Sequence, residues 1–159
     1  MNLTTYEYPT SQWSILKEDM FITRKAEFSA SHVCRVPHFS DEQNRELFGE
    51  EANVNGHGHN YVVEVTLEGE PDPVTGMILD LKELKDIMEQ EIVQPMDHRF
   101  LNYEVEPFST VVPTAANLAR EIWRRMEARL NGRSGTLAKV RLFETRDLYV
   151  DVTREGLSS

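Results

Sequence analysis

Asn55-Gly56-His57-Gly58-His59-Asn60-Tyr61-Val62-Val63-Glu64-Val65-Thr66-Leu67-Glu68 is the stretch on which the reading of the whole chain turns. From Asn60 onward it alternates. Tyr61, Val63, Val65 and Leu67 share one parity; Val62, Glu64, Thr66 and Glu68 share the other. In an extended backbone successive side chains point to opposite faces, so this is a strand with one apolar face. Run backward, the same parity puts His57 and His59 on that apolar face, and Gly58 leaves room between them.

Upstream, residues 21–31 alternate in the same way. Ile22, Ala26, Phe28 and Ala30 share a parity that His32 continues, with Arg24 as the exception. If the two strands pair as a hairpin, the connection of about thirty residues brings His32 back beside His57 and His59. Within that connection Ser40 and Gln43 form a capping box that opens a short helix, DEQNRELF, and Gly49 can end it.

Downstream, PDPVTG (71–76) reads as a turn. A helix from about Asp80 to Val93 follows, with Leu81, Leu84, Ile87, Met88 and Ile92 on one stripe, and Pro95 is expected to stop it. A second helix opens near Thr114, buries Leu118, Ala119, Ile122, Trp123, Met126 and Leu130, and is broken by NGRSG (131–135). Two strands, at 137–145 and 148–153, are joined by a tight turn at Arg146 and Asp147. The order strand, strand, helix, helix, strand, strand predicts an α+β fold: a four-stranded antiparallel sheet with two helices on one face. Its two open edges must be covered or paired, which favours oligomerisation. Residues 1–20 lack a sustained period and read as an N-terminal extension; residues 21–156 form one domain.

The chain has 159 residues, 40% of them apolar and 28% charged, within the range of a single globular domain. No apolar run approaches the ~18 residues of a membrane span, and the first residues lack the pattern of a secretory signal. Its single cysteine, Cys34, permits no intrachain disulfide and favours a reducing, cytoplasmic compartment. Seventeen basic against twenty-seven acidic residues give a formal charge of −10, which disfavours nucleic-acid binding.

Three imidazoles converging at one end of a sheet suit zinc, because neutral imidazole is a borderline ligand for a borderline ion. Three protein ligands leave a fourth position open, the pattern of a catalytic site. Any one histidine is more simply read as a residue with ordinary hydrogen bonds. The doublet at a strand start, with a third histidine ending the neighbouring strand, favours metal.

FSASH (28–32), NGHGHNY (55–61), GMILDLKELK (76–85), PMDHRFLN (95–102), PTAANLA (113–119) and FET (143–145) together resemble the 6-pyruvoyl-tetrahydropterin synthase / 6-carboxytetrahydropterin synthase family. The resemblance implies a tunnelling fold, in which trimers join their sheets into a barrel and two trimers stack into a homohexamer with sites between subunits. It implies a zinc-dependent lyase acting on 7,8-dihydroneopterin triphosphate, with zinc on His32, His57 and His59. Asp97 and His98 match a proton-relaying pair; without the resemblance they would be residues shaping a loop after Pro95. Glu144 matches the glutamate that anchors the pterin, and Thr114 falls at a substrate-side position that also caps a helix. Glu144 ends the apolar face of Val140 and Leu142, where a carboxylate is costly unless paired. A pterin edge offers two N–H donors that a carboxylate accepts together. The plainer alternative for Glu144 is an exposed residue at a strand end.

Two positions depart from the family. Where the family has a catalytic cysteine before the histidine doublet, this chain has Glu51. A glutamate there resembles a branch associated with cleaving the side chain to 6-hydroxymethyl-7,8-dihydropterin. A carboxylate can serve as base if burial or a second carboxylate raises its pKa, and the adjacent Glu50 could take either part. Otherwise both are solvated loop charges. Cys34 does not match the missing cysteine and reads as an ordinary thiol. Ala116 stands where the family commonly has glutamate. The product, whether pyruvoyl, carboxy or hydroxymethyl pterin, stays open. A non-catalytic protein binding zinc and pterin is the alternative, and a structural barrel subunit with stabilising histidines is a third. Arg24, Lys25, Arg35 and Arg99 are candidate phosphate contacts, each also readable as a solvated charge.

Overall fold

The computed structural model describes residues 19–155. Most of the proposed N-terminal extension therefore lies outside the described residues. Strand β1 (Phe21–His32) pairs antiparallel with β2 (His57–Glu68), in a register that sets His32 opposite His57 and Ala30 opposite His59. β2 pairs with β4 (Thr136–Phe143), and β4 with β5 (Tyr149–Thr153), both antiparallel. These are the four expected strands. A fifth, β3 (Arg99–Phe100), adds to the outer side of β1 in parallel through Ala30 and Ser31. The sheet is thus mixed, in the order β3-β1-β2-β4-β5. Two residues carry no period, so β3 left no signal in the sequence.

The alternation in β2 holds: Tyr61, Val63, Val65 and Leu67 are all buried. Opposite Thr66 and Leu67 the register with β4 slips by one residue. That bulge lets Leu137 and Val140, which differ in parity, both reach the core.

The β1–β2 connection carries α1 (Asp41–Phe48), opened by the Ser40–Gln43 capping box and closed at Gly49, then a 3₁₀ turn at Gly49–Ala52. The next helical stretch starts as α2 (Leu81–Met88), capped by the Asp80 carboxylate, which accepts from the Lys82 N–H at 2.8 Å. It does not stop before Pro95. It widens into a π-helical turn at Glu89–Val93 and continues as α3 (Gln94–Met96). In the wide turn the Gln94 N–H reaches the Glu89 carbonyl, five residues back. This relieves the clash that a proline ring makes with the carbonyl four residues before it. A short α4 (Leu101–Glu104) follows β3, and α5 (Ala115–Leu130) completes the helical layer.

The core lies between that layer and the apolar face of the sheet, and it contains every residue of the expected α5 stripe. Glu121 is buried beside the stripe, clamped by Arg124 at 2.7 and 2.8 Å and by Arg125 at 2.6 Å. Among the described residues no helix is long and apolar enough to cross a membrane.

Candidate metal and pterin site

The histidines meet as the hairpin register requires. His32, His57 and His59 each offer a ring nitrogen, and the three atoms lie within 4.8 Å of one another. The Nδ1 of His32 lies 2.7 Å from the Pro113 carbonyl, a distance that makes Nδ1 the N–H donor and leaves Nε2 with a free lone pair. The Nε2 atoms of all three rings are buried without a hydrogen-bond partner among the described residues. Buried polar atoms are nearly always paired, and three orphans facing one point are the mark of a group that completes them. Burial holds the pKa of His32 and of His59 below the ordinary value, and the neighbouring imidazoles add to the effect. Both rings are therefore neutral near pH 7, the form that binds a metal.

Several contacts fix the chain around this centre. Beyond His32, the Asn102 side chain accepts from the Val33 N–H and donates to the Val33 carbonyl, at 2.9 and 3.0 Å. The Cys34 N–H donates to the Glu51 carbonyl at 2.9 Å, tying the 3₁₀ turn to the end of β1. Asn44, fully buried, accepts from Val36 and donates to the carbonyls of Val36, Phe39 and Ser40. Gly56, which precedes the doublet, has φ +75°, and a Cβ there would lie 2.8 Å from the Phe100 ring. Gly58 gives room on the side opposite to that expected: a Cβ there would press on the Ala30 carbonyl, at 3.2 Å, and not on the imidazoles.

Glu144 comes to the same place from beyond β4. It is 6% exposed, and its Oε1 lies 3.8 Å from His32 Nε2 and 3.9 Å from His59 Nε2. Burial and then the charge of Glu51 push its pKa up. Glu51 itself is exposed on the 3₁₀ turn, and its charge acts on His32, His59 and Glu144 alike. Cys34 is fully buried; burial, and secondarily the Glu51 carboxylate, push its thiol up to about 12, so it stays protonated.

Asp97 and His98 dock on the outer edge of β1. The Asp97 carboxylate accepts from the Ser29 N–H and from His98 Nδ1, both at 2.8 Å, and its pKa is lowered chiefly by the first of these bonds. The His98 N–H returns to the Ser29 carbonyl at 2.6 Å. His98 has φ 58°, a left-handed conformation that a non-glycine residue adopts at a cost. Its side chain is largely exposed, and it lines an open cleft of about 510 Å³ that His59, Asn60 and Phe100 also line. Within one chain, then, His98 lines a cleft shared with the centre, but among the described residues the Asp97–His98 pair makes no hydrogen bond to it.

The Thr114 hydroxyl is engaged as the cap of α5, accepting from the Asn117 N–H at 3.3 Å. The four basic residues proposed for phosphate are all engaged within the chain. Arg24 donates to the Leu81 carbonyl, Lys25 pairs with Glu64, Arg35 with Asp41 and Arg99 with Glu104. Tyr61 has a role that sequence reasoning missed, because its parity reads as core. It is indeed fully buried and stacked on Phe28, yet its hydroxyl is orphaned beside the histidines. Its place at i+2 from His59 on the same face was the available signal.

Residues 21–155 match the family model described as 6-pyruvoyl tetrahydropterin synthase. The chain belongs to this family. The 6-pyruvoyl tetrahydrobiopterin synthase of Homo sapiens is 47% identical over 124 residues, covering 78% of this chain and 84% of that protein. The one from Drosophila melanogaster is 42% identical over 125 residues, covering 79% and 74%. The solved structure of 6-pyruvoyl tetrahydropterin synthase from Caenorhabditis elegans superimposes with a TM-score of 0.81 at 38% identity, covering 86% of this chain and 96% of that one.

Proposed function

We propose that this protein is a zinc-dependent lyase acting on the side chain of 7,8-dihydroneopterin triphosphate. One observation carries the reading. Three buried, unpartnered imidazole nitrogens converge beside a buried carboxylate that offers its own acceptors to the same space. The names of its relatives, synthases of 6-pyruvoyl tetrahydropterins, support the class of substrate.

Zinc held by His32, His57 and His59 would polarise hydroxyl and carbonyl oxygens of the side chain and stabilise charge as protons leave carbon. The Glu144 carboxylate would accept the two N–H donors of the pyrimidine edge and so orient the ring. Glu51 would take a proton from the side chain, because its carboxylate acts on the centre from the turn where the family has a cysteine. His98, held by Asp97, would return or relay a proton within the shared cleft. The Pro113 carbonyl keeps His32 in the tautomer that leaves Nε2 free. Thr114, one residue on, serves this end of the site by capping α5, and any contact of its hydroxyl with substrate comes in addition to that bond.

The replacement of the cysteine by Glu51 favours a second reading, a homologue that binds zinc and pterin without turnover. Incubating the zinc-loaded protein with 7,8-dihydroneopterin triphosphate and identifying the pterin by mass spectrometry separates the two. A pyruvoyl, carboxy or hydroxymethyl pterin is the expected class of product. Recovery of intact substrate, with pterin bound, would establish the second reading. A cytoplasmic location fits the lone and buried Cys34. Assembly into a homohexameric barrel fits the open edges of the sheet.

A further inference from the structure

Among the described residues the hydroxyl of Tyr61, although fully buried, has no partner at full hydrogen-bond geometry. An unsatisfied buried donor is costly, so a native protein keeps one only where something completes it. The Phe28 ring, stacked at 5.0 Å, fixes the phenol in place, and the rings of His59 and His32 stand at 5.5 and 6.3 Å. The neighbouring acceptor is Glu144, which is also buried. Its contacts with His32 and His59, at 3.8 and 3.9 Å, are too long for hydrogen bonds. The Glu144 charge, and an approach of hydrogen-bonding kind between the two side chains, help to raise the Tyr61 hydroxyl, and the same approach draws Glu144 down against its burial.

A metal on the three Nε2 atoms would make this pairing decisive. Those nitrogens would spend their lone pairs on the ion and could offer Glu144 no proton. Tyr61 would then remain as a protein donor to the carboxylate. We infer that the Tyr61 hydroxyl donates to Glu144 and holds that carboxylate in the orientation that receives the pterin edge. Tyr61 is thus a positioning residue acting through Glu144. The inference rests on the reading that Glu144 binds the pterin. A carboxylate has about four lone-pair sites, so one bond from Tyr61 leaves enough for two ring N–H donors.

The test is a double-mutant cycle on the zinc-loaded protein, with neopterin as the probe and its fluorescence as the measure of affinity. Tyr61→Phe keeps the ring against Phe28 and removes only the hydroxyl. It should weaken neopterin binding roughly ten- to hundredfold at unchanged zinc content, and should cost little further in a Glu144→Gln background. Equal losses in both backgrounds, or no loss, would overturn the inference, as would loss of zinc from a folded Tyr61→Phe protein. If Glu144→Gln alone leaves affinity unchanged, the pterin-anchor reading itself fails, and that outcome is distinct from a failure of Tyr61. Should Tyr61→Phe not fold, 3-fluorotyrosine at position 61 keeps the hydroxyl but alters its donor strength. A change in affinity that vanishes with Glu144→Gln supports the pairing, and one that persists overturns it.

Discussion

Glu51 stands where the resemblance implies a cysteine, and its surroundings say what it can do. It sits on a turn held to the end of β1 through the Cys34 N–H, and its charge acts on His32, His59 and Glu144. Cys34, the only thiol, is buried and protonated, so it is poorly placed to stand in for the missing cysteine. Glu51→Gln keeps the shape and removes the basicity. It should lower turnover by about 10²–10⁴-fold with zinc content unchanged, while Glu50→Gln has a smaller effect. Steady-state rates of both variants check this, and the reverse ranking would move the role to Glu50. For Glu144, exchanging one acceptor oxygen for an amide donor sets that donor against a pterin N–H. Glu144→Gln should weaken neopterin binding by roughly 2–5 kcal/mol, as read by titration; equal affinity would mean that the carboxylate does not hold the ring.

At the scale of elements, the site is an outcome of strand register. Pairing His32 with His57 and Ala30 with His59 aligns three imidazoles on one face, and Gly56 sets the point at which β2 can begin. Gly56→Ala would hold an alanine at φ +75° against the Phe100 ring. It should cost about 1–2 kcal/mol of stability, seen as a lower midpoint of urea unfolding. An unchanged midpoint would mean that the turn relaxes freely. Much of this level was legible in the sequence. Tyr61, Val63, Val65 and Leu67 announced β2 by period alone, and Ser40 with Gln43 announced α1 by capping chemistry. Other features were not legible, for definite reasons. Pro95 is tolerated because of a π turn that no propensity encodes, and β3 is too short to show alternation. The docking of Asp97 on Ser29 spans 68 positions and depends on where the helical layer ends. Glu121 reads as a polar helix residue, because its burial depends on two arginines that fold back on it. The orphaned hydroxyl of Tyr61 looked like core for the same kind of reason: parity gives a side chain's face but not what its tip meets.

For the molecule as a whole, the sheet edges bear on assembly and the histidines on metal. Among the described residues β1 is paired on its outer side only at Ala30 and Ser31, and β5 forms the opposite edge. Asp97 and His98 sit at the first of these edges, Asp97 half-buried and His98 largely exposed, with no hydrogen bond to the centre among the described residues. Joining edges between copies would cover these strands and enclose that cleft, and we propose a homohexamer on this ground. Light scattering at micromolar concentration should give the mass of six chains, and a monomer would contradict the proposal. Whether His32, His57 and His59 form one metal centre is read by elemental analysis of the purified protein and its variants. About one zinc per chain is expected, most of it lost in His57→Ala and all of it in the triple His32, His57 and His59 to alanine variant. Stoichiometric zinc in the triple variant would contradict it.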